Sequence, residues 1–188
     1  MTAAFPNSTV LLGNPERTGV MLKSMVVLFL VTLIPGLELR ASIPVGILGG
    51  KWLAEPMAWP AVVVTCTVAN ILLGWGVFWL LDPVLKLLRL MPWFERLVMR
   101  YIERARAKLK PQVDKYGAIG LAIFIGIPLP LTGAYTGAAG AFALGMERRQ
   151  FMLANVVGVL IAAVLVTIIT LLIRAGINLP IFDILIKA

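Results

Sequence analysis

The chain contains no histidine, and Cys66 is its one cysteine among 188 residues. The first absence removes imidazole metal sites, histidine general bases and every Ser-His or Cys-His nucleophile pair. The second excludes an intrachain disulfide and a thiolate metal cluster. Cys66 lies inside an apolar run and reads as an inert thiol facing lipid or core. Charge is scarce as well, at 14% of residues against about 25% in soluble domains. No nucleophile–base or metal constellation remains, so neither an enzyme nor a cofactor is expected.

What is present is apolar. Hydrophobic residues make up 60% of the chain, and the mean hydropathy is +0.96. These values imply an all-α integral membrane protein. Residues 61–81 and 151–173 read as full-length spans, the first with Trp75 and Trp79 toward its far end, where an aromatic belt sits. The first cation is Arg17, preceded by Glu16, and no small-residue cleavage pattern follows, so a signal peptide is not expected at the start.

Two further apolar runs, 20–34 and 117–131, fall short of the roughly 20 residues a span needs. Each leads into a proline-broken polar segment. The first is Ile34-Pro35-Gly36-Leu37-Glu38-Leu39-Arg40-Ala41-Ser42-Ile43-Pro44-Val45-Gly46. The second is Ile127-Pro128-Leu129-Pro130-Leu131-Thr132-Gly133-Ala134-Tyr135-Thr136-Gly137. Paired, interrupted hydrophobic segments in corresponding halves are a pointer to a transporter's binding site. The spans echo one another too, since Val68-Ala69-Asn70-Ile71-Leu72 resembles Leu153-Ala154-Asn155-Val156-Val157. The pattern predicts one membrane domain built as an inverted repeat. Repeat 1 is residues 20–81, with a re-entrant hairpin at 20–50 and the span 61–81. Repeat 2 is residues 116–173, with a hairpin at 116–145 and the span 151–173. If each hairpin limb crossed the bilayer instead, there would be six crossings.

Between the halves, residues 82–115 hold nine of the seventeen Lys and Arg. Val84, Leu87, Leu88 and Met91 recur at helical spacing. So do Phe94, Val98, Tyr101, Ile102, Ala105 and Leu109 after Pro92, a residue suited to a helix's first turn. This predicts amphipathic helices lying in the interface, with membrane lipids and their anionic headgroups as partners along residues 83–110. Nucleic acid is a poor partner for a basic stretch held at a membrane. The positive-inside rule puts 82–115 in the cytoplasm of a multi-pass protein of the inner (plasma) membrane. Two spans and two hairpins bury little, which leaves room for a homodimer.

Pro35, Pro44, Pro128 and Pro130, with Gly133 and Gly137, mark the predicted hairpin breaks. Glu38 and Arg40 are the sharpest residues, because a charge at mid-membrane costs roughly 2.5–3.5 kcal/mol. Arg40 is read as the ligand of an anionic headgroup or phosphate. Glu38 is read as its orienting partner or a proton-exchanging group. The competing reading is structural, with the two charges pairing together or with other tip groups to hold the hairpin shut. Ser42, Thr132, Tyr135 and Thr136 add hydroxyls to the candidate site. Asn70 and Asn155 are candidate ligands as well, though helix–helix contact is the commoner use of such residues. The Gly133/Gly137 spacing also suits close helix packing.

The stretches 35–44 and 128–137 resemble the two signatures of the small multidrug export protein family, over roughly residues 20–175. That family is distantly similar to the DedA (VTT, SNARE-associated) superfamily. The resemblance implies two facing re-entrant hairpins with amphipathic helices, and a role in moving lipids such as undecaprenyl phosphate. It also implies a proton or sodium gradient as the driving force, and matches Glu38 and Arg40 to the charged residues of the first hairpin. The second hairpin here lacks the arginine usual in DedA proteins. Three functions are therefore weighed: a lipid or lipid-phosphate translocase, an ion-coupled exporter of small hydrophobic compounds, and a membrane scaffold without transport.

Overall fold

A computed structural model describes residues 15–49, 57–88, 92–129 and 132–176. Among these residues there are six helices and no strand: α1 (Pro15–Thr32), α2 (Glu38–Leu48), α3 (Trp59–Leu88), α4 (Pro92–Gly126), α5 (Ala134–Ala143) and α6 (Arg148–Arg174). Only α3 and α6 are long and apolar enough to cross a membrane, and the apolar part of α1 is shorter.

The chain's prolines and glycines account for where these helices stop. Pro35 disfavours helical backbone at the residue before it, and Gly36 turns the chain with a φ of 86°. So α1 ends at Thr32 and helix resumes at Glu38. The prediction that Pro44 belongs to this break is corrected, because Pro44 lies inside α2. The helix tolerates the lost backbone donor, and α2 stays seated where Gly46 admits α3. A Cβ at Gly46 would lie 2.4 Å from Val62 Cγ1. In the same way α3 runs through Pro83 to Leu88, past residue 81.

α4 begins at Pro92 and is one helix only by hydrogen bonding. At Gly117 the backbone takes φ 57° and ψ −134°, which separates an amphipathic part from a short apolar one. The apolar part ends before Ile127-Pro128, and helix resumes as α5 after Gly133. Gly137 is a second correction, since it sits within α5 rather than at the break. It serves packing, as a Cβ there would come within 2.6 Å of Ile125 Cγ1. Pro130 lies outside the described residues.

Packing is crosswise between the halves. α2 rests on α6 and α3, while α5 rests on α3 and α4. The core where they meet includes Leu39, Ile43, Val62, Phe78, Ile125, Phe151 and Val159. Phe78 stacks on Phe151 with ring centroids 4.3 Å apart. Outward, α3 exposes Val64, Val68, Leu72 and Leu80, and α6 exposes Leu153, Val157, Leu160, Val164 and Ile168. Apolar bands of this extent fit lipid rather than water.

The amphipathic part of α4 differs from its sequence reading. Part of its apolar stripe is not left for the bilayer, because Ile102, Ala105 and Leu109 are buried, whereas Phe94 and Tyr101 stay exposed. α5 covers them, with Ala139 packed on Ile102 and Ala105. Gly140 makes the close approach possible: a Cβ there would lie 3.0 Å from the Ala105 carbonyl oxygen and 2.9 Å from Leu109 Cδ2.

Candidate functional site

The two breaks meet, and the charges of the first are spent on the second. Glu38 opens α2 with a φ of 48°, a left-handed conformation that a non-glycine residue adopts at a cost of about 1–3 kcal/mol. Its carboxylate is compensated across the contact. It accepts hydrogen bonds from the Ala134 amide at 3.1 Å and the Tyr135 amide at 3.2 Å. These are the first amides of α5, where the helix presents unpaired donors and the positive end of its dipole. Glu38 is buried, at 4% exposure, so these bonds are made away from water.

Arg40 meets the opposite polarity. Beyond the last turn of α4 the chain presents carbonyls with no helical partner, and the guanidinium donates to the Leu129 carbonyl. It also donates to Thr132 Oγ1 at 2.8 Å. The Thr132 hydroxyl is set in turn against the carbonyls of Ile127 and Leu129 at 2.9 and 2.7 Å. Glu38 and Arg40 therefore do not spend their charge on one another. Each answers one end of the second broken helix pair, carboxylate on donors and guanidinium on acceptors. Backbone groups freed by the helix break are paired in this way.

Gly133 stands at the centre of this contact. Its φ is 115°, and a Cβ on it would lie 2.4 Å from Glu38 Oε2 and 3.0 Å from Arg40 Nη2. The Tyr135 hydroxyl reaches back to donate to the Leu33 carbonyl at the end of α1. Bonds therefore run both ways across the two breaks.

Of the other predicted site residues, Ser42 sits behind the contact. It accepts from Thr32 at 2.7 Å and donates to the Glu38 carbonyl at 3.1 Å, joining the limbs of the first hairpin. Thr136 is buried on α5 and faces α4, with its hydroxyl 3.2 Å from that of Tyr101. Asn70 and Asn155 are placed elsewhere, at the packing of α3 on α6. Asn155 donates to the Ile71 carbonyl at 3.2 Å over the space left by Gly74. Both asparagine Oδ1 atoms are buried without a hydrogen-bond partner.

Sequence reasoning missed Tyr101 as part of the site. The signal was available, because a tyrosine on an apolar stripe carries a hydroxyl that needs a partner once it turns inward. Desolvation of that hydroxyl raises its pKa. The Thr136 hydrogen bond acts the other way, and the Glu38 charge adds to the rise. The carbonyls of Leu33, Ile127 and Leu129 were also missed, since backbone acceptors leave no mark in sequence. Among the described residues no group of three Cys, Asp or Glu side chains converges as a metal site would need.

Taken as chemistry, the contact is an anion-accepting helix end and a guanidinium side by side, with a carboxylate of the chain occupying the helix end. A family model described as "Putative small multi-drug export protein" matches residues 38–165, from Glu38 into α6. No curated protein and no solved structure matches the chain.

Proposed function

Because this chain belongs to the small multi-drug export protein family, we propose that it is a membrane transporter that moves a lipid phosphate through the meeting point of its two breaks. One observation carries the reading. The Glu38 carboxylate occupies the α5 N-terminus, on the Ala134 and Tyr135 amides, with Arg40 beside it. A helix N-terminus that already holds one oxyanion is suited to another, and the guanidinium supplies planar, forked donors for phosphate. Displacing Glu38 by a headgroup, and restoring it, is a cycle of binding and release at one place.

The proposal includes the arrangement that makes this possible. The halves are inverted repeats, with re-entrant hairpins entering from opposite faces, as in the DedA scheme. Residues 82–115 lie on the cytoplasmic side of the inner membrane. The crosswise packing supports this, since the second limb of each hairpin rests on the other half's span, α2 on α6 and α5 on α3. A second reading is proton- or sodium-coupled export of small hydrophobic compounds, and the word export in the family's description favours it. It uses the same Glu38.

Vesicles carrying a fluorescent polyprenyl phosphate, probed with a reductant that bleaches only the outer leaflet, separate these readings. The inner-leaflet fraction is expected to become accessible when the protein is present. Export of a hydrophobic cationic dye with no lipid movement would favour the second reading, and neither movement would favour a scaffold. Glu38→Gln removes the negative charge from the Ala134 and Tyr135 amides, so the chain can no longer reclaim the helix end from a bound headgroup, and lipid movement is expected to slow. A Glu38→Gln variant with wild-type lipid movement would remove Glu38 from the cycle.

A further inference from the structure

The part of α4 before Gly117 carries three stripes, and only one has been accounted for. Val98, Ile102, Ala105 and Leu109 face inward under α5. A second stripe runs Glu95, Met99, Glu103, Arg106, Lys110, Asp114 at helical spacing. It holds every acid of this part of the helix, and Lys110 pairs with Asp114 at 2.6 Å. Its charges largely cancel. The third stripe runs Trp93, Leu97, Arg100, Arg104, Lys108, again three or four residues apart. All five are exposed, Trp93 at 73%, and no acid stands among them.

We propose that this third stripe, Trp93–Leu97–Arg100–Arg104–Lys108, is a binding surface for anionic phospholipid. The order of residues matters: an aromatic and an aliphatic side chain at one end, three uncompensated cations beyond. Trp is the residue of membrane interfaces, and each cation near an anionic surface adds about 1 kcal/mol of attraction. The end of α3 is near, since its Leu81 and Leu85 pack on the same small cluster as Val98, and its Val84 and Leu87 are exposed. A soluble acidic partner would have no use for exposed apolar side chains beside the cations. The inference does not depend on what the protein transports.

The test uses the full chain in mixed micelles, titrated with phosphatidylglycerol or phosphatidylcholine and read by native mass spectrometry and thermal midpoint. Removing three cations with R100Q/R104Q/K108Q is expected to weaken phosphatidylglycerol binding on the order of a hundredfold, with phosphatidylcholine unaffected. R96Q/R106Q/K110Q removes the same charge from elsewhere on the helix and is expected to leave the preference standing. Equal losses in the two triple variants would overturn the assignment, as would a wild type that binds both lipids alike. Competition by inorganic phosphate as strong as that by lipid would make the stripe a free-anion site. Stripe-dependent binding of a short RNA would make it a nucleic-acid face. A readout free of folding effects is quenching by brominated lipids. Brominated phosphatidylglycerol is expected to quench the wild type more than brominated phosphatidylcholine, and Trp93→Phe to abolish the difference. Quenching indifferent to headgroup or to Trp93 would overturn the proposal.

Discussion

Arg40→Ala is expected to abolish transport while the helices remain. The guanidinium donates to the Leu129 carbonyl and to Thr132 Oγ1, and alanine supplies neither bond. The Leu129 carbonyl and the Thr132 hydroxyl lose a charged donor, a bond worth about 1.5–3 kcal/mol, and a lipid phosphate loses the forked guanidinium, so the transport rate is expected to fall by more than about tenfold. Arg40→Lys keeps the charge but loses the fork, and is expected to fall between wild type and alanine. Rates in vesicles, with helicity and monodispersity measured on the same preparations, check this. A folded Arg40→Ala protein with wild-type transport would leave the arginine a purely structural role.

Gly133→Ala is expected to lower stability strongly. Two costs coincide there. The φ of 115° is strained for any side chain, and the new Cβ would stand 2.4 Å from Glu38 Oε2. The carboxylate cannot move aside without leaving the Ala134 and Tyr135 amides. Backbone strain alone costs about 1–3 kcal/mol, and lost hydrogen bonds to a charged group add about 1.5–3 kcal/mol. Gly36→Ala is the matched control, with a φ of 86° and open space around it. It carries the strain without the collision. Thermal midpoints in detergent are expected to fall for both variants, and clearly further for Gly133→Ala than for Gly36→Ala. Equal shifts would mean that the two breaks are not pressed together at Gly133.

How much of this was legible in the sequence depends on the range of each interaction. The two long apolar helices are local features and could be read directly. So could the breaks near Pro35 and Pro128, because proline acts on its own backbone. Glu38 and Arg40 stood out because unpaired charge in an apolar run is costly. Their partners could not be read, since Glu38 and Ala134 are far apart in sequence and the amides that bind the carboxylate have no side-chain signature. Pro44 misled because proline is a breaker by local rules, whereas the contact of Gly46 with Val62 is a tertiary one. Gly137 misled for a similar reason, as its meaning lies in Ile125 on another helix. The apolar stripe of α4 looked free for lipid because nothing in its own residues shows that Gly140 lets α5 lie against it.

The central claim is that the breaks must part for transport, and the contact between Tyr135 and Leu33 allows a direct test. Cysteines replace both residues in a Cys66→Ser background, and a bifunctional thiol reagent spans the length of the lost tyrosine side chain. Closing this link is expected to stop transport of the lipid phosphate in vesicles, and reductive cleavage to restore it. Transport that continues at full rate with the link closed would contradict the account.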